Sequence, residues 1–220
     1  MMTNWSDDPC PLERAESLSA WRKPVDGGSN PSAPTGPFSS RRMDSRVWTI
    51  STADHRHTED VFVMTIEISK ATKKDLKRLV EMFSDPDLKT SREESDWFVH
   101  CYFDYHHINV AKVKGEIQGA CFWRIEGERY SGLGWIENLW VEERYRRLNL
   151  GERLVRRSIE DMKAFFEKDN KKLRKVVLTT QVEKPGARKL YEKIGFRNVA
   201  SLGDMYDPEE HDLFYILDLQ

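Results

Sequence analysis

Val141-Glu142-Glu143-Arg144-Tyr145-Arg146-Arg147-Leu148-Asn149-Leu150-Gly151 is the stretch on which the reading of this chain turns. Before it, residues 135–141 have the aromatic and β-branched content of a strand. After it, Val155, Ile159, Met162 and Phe166 recur at helical spacing, which predicts a long helix over about residues 150–168. A strand therefore runs through a short basic loop into a helix N-terminus. The unpaired N–H groups and the positive end of the helix dipole meet there, and such a junction cradles a pyrophosphate. Arg146 and Arg147 supply countercharge.

Working outward, residues 65–69 alternate as a strand. Thr72 followed by Asp75 makes a capping box ahead of Leu76, Leu79, Val80 and Phe83 at helical spacing. A second helix is expected over 92–105. Residues 108–113 and 118–124 flank Lys114-Gly115-Glu116 as a hairpin. Residues 175–180 form a β-branched run suited to a central strand. Pro185 opens a short helix on which Ala187, Leu190, Tyr191 and Ile194 share a face, and Gly195 closes it. Strands at 196–202 and 213–219 end the chain. The order β-α-α-β-β-β-α-β-α-β-β makes an α/β (α+β) fold, a mixed sheet with helices on its faces.

Composition narrows the function. The chain has 220 residues and a net charge of −2, which argues against a nucleic-acid partner held by bulk charge. No run is long and apolar enough for a membrane span, no secretory signal is visible, and three scattered cysteines make neither a disulfide framework nor a zinc site. A cytoplasmic protein is expected. Six of the nine prolines precede residue 38, interleaved with Gly27, Gly28, Ser29, Asn30 and Ser32, so residues 1–63 are expected to be a disordered leader to a domain at 64–220. Gly28-Ser29-Asn30-Pro31 back-translates to a sequence like the T-arm of a tRNA gene. Two readings follow: an ordinary flexible leader, or translation from a start placed too far upstream, with Met64 as initiator.

Arg146, Asn149 and Gly151 occupy the three fixed places of Arg/Gln-x-x-Gly-x-Gly/Ala. Ala187, Leu190, Tyr191, Lys193, Gly195 and Phe196 match Asn-x-x-Ala-x-x-Leu-Tyr-x-Lys-x-Gly-Phe. With both motifs in order, residues 64–220 resemble the GNAT superfamily of acyl-CoA-dependent N-acyltransferases. That resemblance implies a mostly antiparallel sheet of six to seven strands, splayed between its fourth and fifth strands, with helices on both faces. It implies acetyl-CoA as co-substrate, with Arg146, Arg147, Leu148, Asn149, Leu150, Gly151 and Glu152 at the pyrophosphate. Leu139, Trp140 and Val141 on the splayed strand, and Lys184, are expected along the pantetheine arm. Asn149 departs from the motif's first glycine, but Asn tolerates left-handed backbone well. Lys184 departs from the Asn that often touches pantetheine. Tyr191 matches the family's general acid; a phenol near pKa 10 can protonate a departing thiolate.

The run Glu137-Asn138-Leu139-Trp140-Val141 is similar to that of the diamine and polyamine acetyltransferase branch, where the Glu is a proposed base. Strand alternation places Glu137, Leu139 and Val141 on one face. No metal is expected: His55 and His57 make only an adventitious cluster with Asp54, Glu59 and Asp60, and His106-His107 reads as a strand end. Acidic residues gather in two places, Asp85, Asp87, Glu93, Glu94 and Asp96, and Asp204, Asp207, Glu209, Glu210 and Asp212. Facing each other across an acceptor entrance, they predict a cationic amine, either a small molecule or a peptide. Homodimers are common among relatives. A sensor that binds acyl-CoA without turnover is the alternative; a Rossmann or P-loop reading lacks its glycine and lysine motifs.

Overall fold

Eight strands lie in one sheet in the order β1-β2-β3-β4-β5-β6-β8-β7, where β1 is Arg46–Thr52, β2 Phe62–Lys70, β3 His107–Val113, β4 Glu116–Glu126, β5 Leu133–Val141, β6 Lys175–Gln181, β7 Arg197–Gly203 and β8 His211–Asp218. Every neighbouring pair is antiparallel except β5 and β6. The computed structural model describes residues 46–52, 62–84, 91–128, 130–205 and 210–219, with side chains from Thr65 onward. Among these residues no helix is long and apolar enough to cross a membrane.

Among the described residues four α-helices flank the sheet: α1 (Leu76–Phe83), α2 (Arg92–Tyr105), α3 (Leu150–Glu167) and α4 (Pro185–Ile194). The helices expected from sequence fall where their spacing put them, and α1, α2 and α4 carry explicit start signals. The Asp75 carboxylate accepts the Thr72 N–H and hydroxyl, both at 2.8 Å, and Ser91 and Glu94 cap one another at the start of α2. Gly195, at φ +112°, closes α4 through the left-handed turn that glycine makes without strain. The apolar stripes bury two cores, one on each face of the sheet. Leu79, Val80, Phe83, Val99 and Tyr102 of α1 and α2 pack on Val110, Ala120 and Phe122. Leu154, Val155, Met162 and Phe166 of α3, with Tyr191 of α4, pack on Ile66, Trp123, Ile136 and Leu178.

Two features of the fold were not expected from the sequence. The sheet has an eighth strand: β1 lies inside the segment expected as leader and pairs with β2 from Arg46↔Ile68 to Thr52↔Phe62, so regular structure extends upstream of Met64. The alternating Val47-Trp48-Thr49-Ile50 pattern is a strand pattern, masked by its Pro- and Ser-rich surroundings. Residues 1–45 and 53–61, including His55, His57 and the Gly28–Pro31 tract, lie outside the described residues.

The second feature is in β5. Phe122 pairs with Asn138 and Trp123 with Ile136, leaving Glu137 as an extra residue in a bulge. A bulge flips the alternation and sharpens the twist of its strand. Leu139 and Val141 face the α3 core, whereas Glu137 faces the α1/α2 side, where it meets Arg124. Glu137 and Leu139 thus do not share a face, contrary to simple alternation. Pairing between β5 and β6 covers only Leu133–Trp135 against Lys175–Val177 and stops just before the bulge. Beyond it the two strands part. This is the expected splay between the fourth and fifth strands, here β5 and β6 because β1 precedes them.

Candidate active site

The β5–α3 junction is built mainly from backbone. After a short 3-10 turn at Glu143–Tyr145, Asn149 takes left-handed torsions of φ 56° and ψ 22° at the N-cap of α3. Asn is among the few residues that do this cheaply, which explains its standing in place of glycine. Its side chain does not cap the helix. The first intrahelical bond runs from the Arg153 N–H to the Asn149 carbonyl at 3.1 Å, so the N–H groups of Leu150, Gly151 and Glu152 precede the helical ladder. Arg146 and Arg147 are exposed beside them.

Arg146 does more than add charge. Its Nε donates to the Val141 carbonyl at 3.0 Å, pinning the loop to the end of β5 and occupying a carbonyl expected for pantetheine. The Glu142 N–H donates to the Gln118 carbonyl of β4 at 2.9 Å, so by alternation the Trp140 backbone also faces β4 and the Leu139 backbone faces the open edge. Leu148 is half-buried, its N–H directed at the Tyr145 carbonyl at 3.4 Å. Gly151 is buried, and a Cβ there would lie 3.0 Å from Leu190 Cδ1 and 3.5 Å from Leu139 Cδ2. The glycine thus lets α3, α4 and β5 close on one another, a packing need that adds to close ligand approach.

Glu152 puts a carboxylate in the first turn of α3, where it would oppose a bound phosphate. It is turned onto Lys193 of α4 at 2.7 Å and Arg156 at 3.0 Å. The Lys193 hydrogen bond is the main influence holding its carboxyl below the usual range. Lys184 forms the N-cap of α4 and is exposed; its carbonyl accepts the N–H groups of Ala187 and Arg188.

Tyr191 sits within the core on the α3 face, its ring edge-on to Phe196 at 5.8 Å and tilted against Tyr215 at 6.3 Å. Burial, with a smaller push from Cys121, raises its phenol above the ordinary range, so it stays protonated. Cys121 pairs with Leu139 across β4 and β5, which puts Tyr191 on the splayed segment's side of the core. The Cys121 thiol is fully buried, and burial pushes it up to about 12, so no thiolate nucleophile forms there near neutral pH. Behind it lies a polar network that sequence reading did not detect. Asn109 Nδ2 donates to Ser158 Oγ and Asp161 Oδ2, both at 3.0 Å, and Arg157 Nε to Asp161 Oδ1 at 3.1 Å. Its members lie about fifty positions apart on β3 and α3, with no local signal to connect them.

Glu137 lies on the other face, half-buried. Arg124 Nη1 donates to its Oε2 and to the Tyr102 hydroxyl at 2.9 Å, while Arg124 Nε donates to Glu126 at 2.9 Å. The Trp135 ring lies 5.0 Å from the guanidinium. Arg124 and Tyr102 were not singled out by sequence, since neither belongs to a motif.

Several described members of the acidic clusters are engaged within the fold. Glu94 is spent on the α2 cap, Asp96 lies 3.8 Å from His100, Glu210 accepts from Gln181, and Asp212 is buried. Asp85, Asp87, Asp207 and Glu209 lie outside the described residues. Among the described residues no group of three or more His, Cys, Asp or Glu side chains is placed to hold a metal.

A splayed pair of strands, with a helix N-terminus at one end and a buried tyrosine beside the gap, is the arrangement the motifs implied. The family description "Acetyltransferase (GNAT) family" matches residues 76–196, more than half of the chain. The chain belongs to the GNAT acetyltransferase family. It is 31% identical over 121 residues to an N-alpha-acetyltransferase of Sulfurisphaera tokodaii, an alignment spanning 48% of this chain and 69% of that one. Among solved structures it resembles the NatC complex bound to Gag peptide and CoA (TM-score 0.56, 21% identity, 70% of this chain and 99% of that one). It also resembles spermidine N-acetyltransferase from Vibrio cholerae in complex with CoA and spermine (TM-score 0.57, 13% identity, 70% and 95%). At such identities the structures speak to the fold. Membership of this GNAT family, together with the N-alpha-acetyltransferase relative, makes the protein an acetyl-CoA-dependent N-acetyltransferase.

Proposed function

We propose that this GNAT protein acetylates a primary amine by direct attack on acetyl-CoA in a ternary complex, and that the acceptor is a peptide α-amine or a cationic small amine. The observation carrying this is the gap between β5 and β6, which opens after Trp135 and joins a face bearing Tyr191 to a face bearing Glu137. The N–H groups of Leu150, Gly151 and Glu152, with Arg146 and Arg147, receive the pyrophosphate. The open edge at Leu139, with Trp140 and Val141 beside it, takes the pantetheine amides. The amine enters from the Glu137 face, which takes up its proton directly or through water. Its nitrogen bonds to the thioester carbon, the C–S bond breaks, and Tyr191 gives its proton to the thiolate. Tyr191 is left as a phenolate and regains a proton from solvent before the next turnover, since burial favours the neutral phenol.

Two observations favour direct attack by an enzyme over a covalent route or a silent sensor. Cys121, the buried thiol beside Tyr191, is held protonated, which disfavours a cysteinyl intermediate. Asn149 keeps the left-handed turn that the motif glycine would make, so the departure that pointed to a sensor leaves the cradle formed. The N-alpha-acetyltransferase relative named above supports the α-amine class. Acetyl-CoA consumption against a panel of free-N-terminus peptides and polyamines tests the reading. Release of CoA with at least one amine is expected; binding without any release overturns it.

A further inference from the structure

The bulge that opens the splay also creates a difficulty. Glu137 is an unpaired extra residue on a strand that has just lost its β6 neighbour, and a glutamate has three rotatable side-chain bonds. A group that must take a proton from an incoming amine works only if it waits at one place. Something has to hold it.

Arg124 faces Glu137 from β4, two residues past the bulge boundary on its own strand. One guanidinium nitrogen, Nη1, contacts both Glu137 Oε2 and the Tyr102 hydroxyl, and Nε engages Glu126. The guanidinium is itself held flat by the Trp135 ring, against which Phe214 packs edge-on at 5.5 Å. Tyr102 is wedged between Phe98 at 4.8 Å, His106 at 4.9 Å and Phe122 at 5.5 Å, so its hydroxyl has little freedom. The Arg124 and Glu137 side chains are only 25% and 24% exposed, yet not sealed, and access from the α2 side is retained. We infer that Arg124 and Tyr102 are positioning residues that fix the Glu137 carboxylate at the mouth of the splay for proton transfer from the acceptor amine. This rests on the acetyltransferase reading above.

The titratable and charged groups around Glu137 are Arg124 and Glu126 on β4, Tyr102 on α2 and His106 at its cap. Burial, then Arg124, holds the His106 imidazole below its usual range, and burial, then the Glu137 charge, raises the Tyr102 phenol. Neither changes charge near neutral pH, so Arg124 is the cation that faces Glu137 there.

The experiment is steady-state kinetics of the full chain and of Arg124→Gln, Arg124→Lys and Tyr102→Phe. Acetyl-CoA is the donor, and spermidine and a free-N-terminus peptide are the acceptors. Arg124→Gln is expected to lower kcat about 10- to 100-fold with the acetyl-CoA KM within about twofold. Arg124→Lys restores part of kcat, because it keeps the charge but not the fork. Tyr102→Phe lowers kcat about 3- to 10-fold with its packing intact. A contact that serves folding alone would lower the melting temperature while kcat stays put, and that result overturns the proposal. If Arg124→Gln does not fold, full kcat in both other variants overturns it equally. A wild-type chain that binds acetyl-CoA and acetylates neither amine overturns the enzyme reading, and this inference with it.

Discussion

The two ends of β5 make an instructive pair. At its C-terminal end, the junction with α3 is formed from N–H groups, a left-handed Asn149 and a buried Gly151. At the bulge, four residues before that end, the site is formed from side chains: Glu137, Arg124 and Tyr102 on one face, Tyr191 on the other. A backbone site tolerates any residue that holds the torsions, and Asn149 replaces the motif glycine with the turn retained. A side-chain site depends on the identity of each atom. Substitutions at the bulge and at Tyr191 should therefore change rate, and those at the junction should change binding or packing.

The largest expected effect is at Tyr191. Tyr191→Phe removes one hydroxyl from a ring packed against Phe196 and Tyr215, so urea denaturation should show little change. Turnover should fall by roughly 10²–10⁴ with acetyl-CoA affinity retained. Because the buried phenol is raised above its ordinary range, the wild-type rate should show no loss from Tyr191 ionisation below about pH 10. A mutant with full turnover would break the comparison, since the core tyrosine would then be only packing.

Gly151→Val probes the junction next. A Cβ would already sit 3.0 Å from Leu190 Cδ1, and branching adds further overlap. Overpacking should cost about 1–3 kcal/mol by denaturation, and acetyl-CoA binding should weaken in calorimetry. Unchanged values in both would remove Gly151 from the account. Arg146→Ala should weaken acetyl-CoA binding by about tenfold, or about 1.4 kcal/mol, with kcat little altered. A fall in kcat at constant affinity would instead place Arg146 with the chemistry.

Asp75 lies outside both ends and serves as the reference for pure stability. Burial alone would raise its carboxyl, but the Lys112 hydrogen bond and those from Thr72 outweigh it, and the group is held below its usual value. Its contribution is present above the unfolded value near 3.8 and is lost as pH falls through the lower folded value. Asp75→Asn should cost about 1 kcal/mol at neutral pH, and the gap to wild type should close in acid below about pH 4, with kcat unaffected throughout.

How much of this was legible in the sequence follows the same division. The junction could be read from Arg146 to Gly151 because turns, caps and helix starts are local, and Asn149 behaves as its residue type allows. The apolar stripes of α1, α3 and α4 were legible for the same reason. The bulge was not, since nothing in Ile136-Glu137-Asn138 marks an extra residue; its cause is the register with β4. Arg124 and Tyr102 escaped notice because their role depends on where Glu137 ends up. The β1 strand has a strand's pattern, but composition on either side obscured it.

The most direct measurement is a crystal structure of the protein with acetyl-CoA. The pyrophosphate is expected against the N–H groups of Leu150, Gly151 and Glu152, pantetheine along the open edge at Leu139, and the sulfur within hydrogen-bond reach of the Tyr191 hydroxyl. A cofactor bound elsewhere, or a sulfur that Tyr191 cannot reach, would contradict this placement.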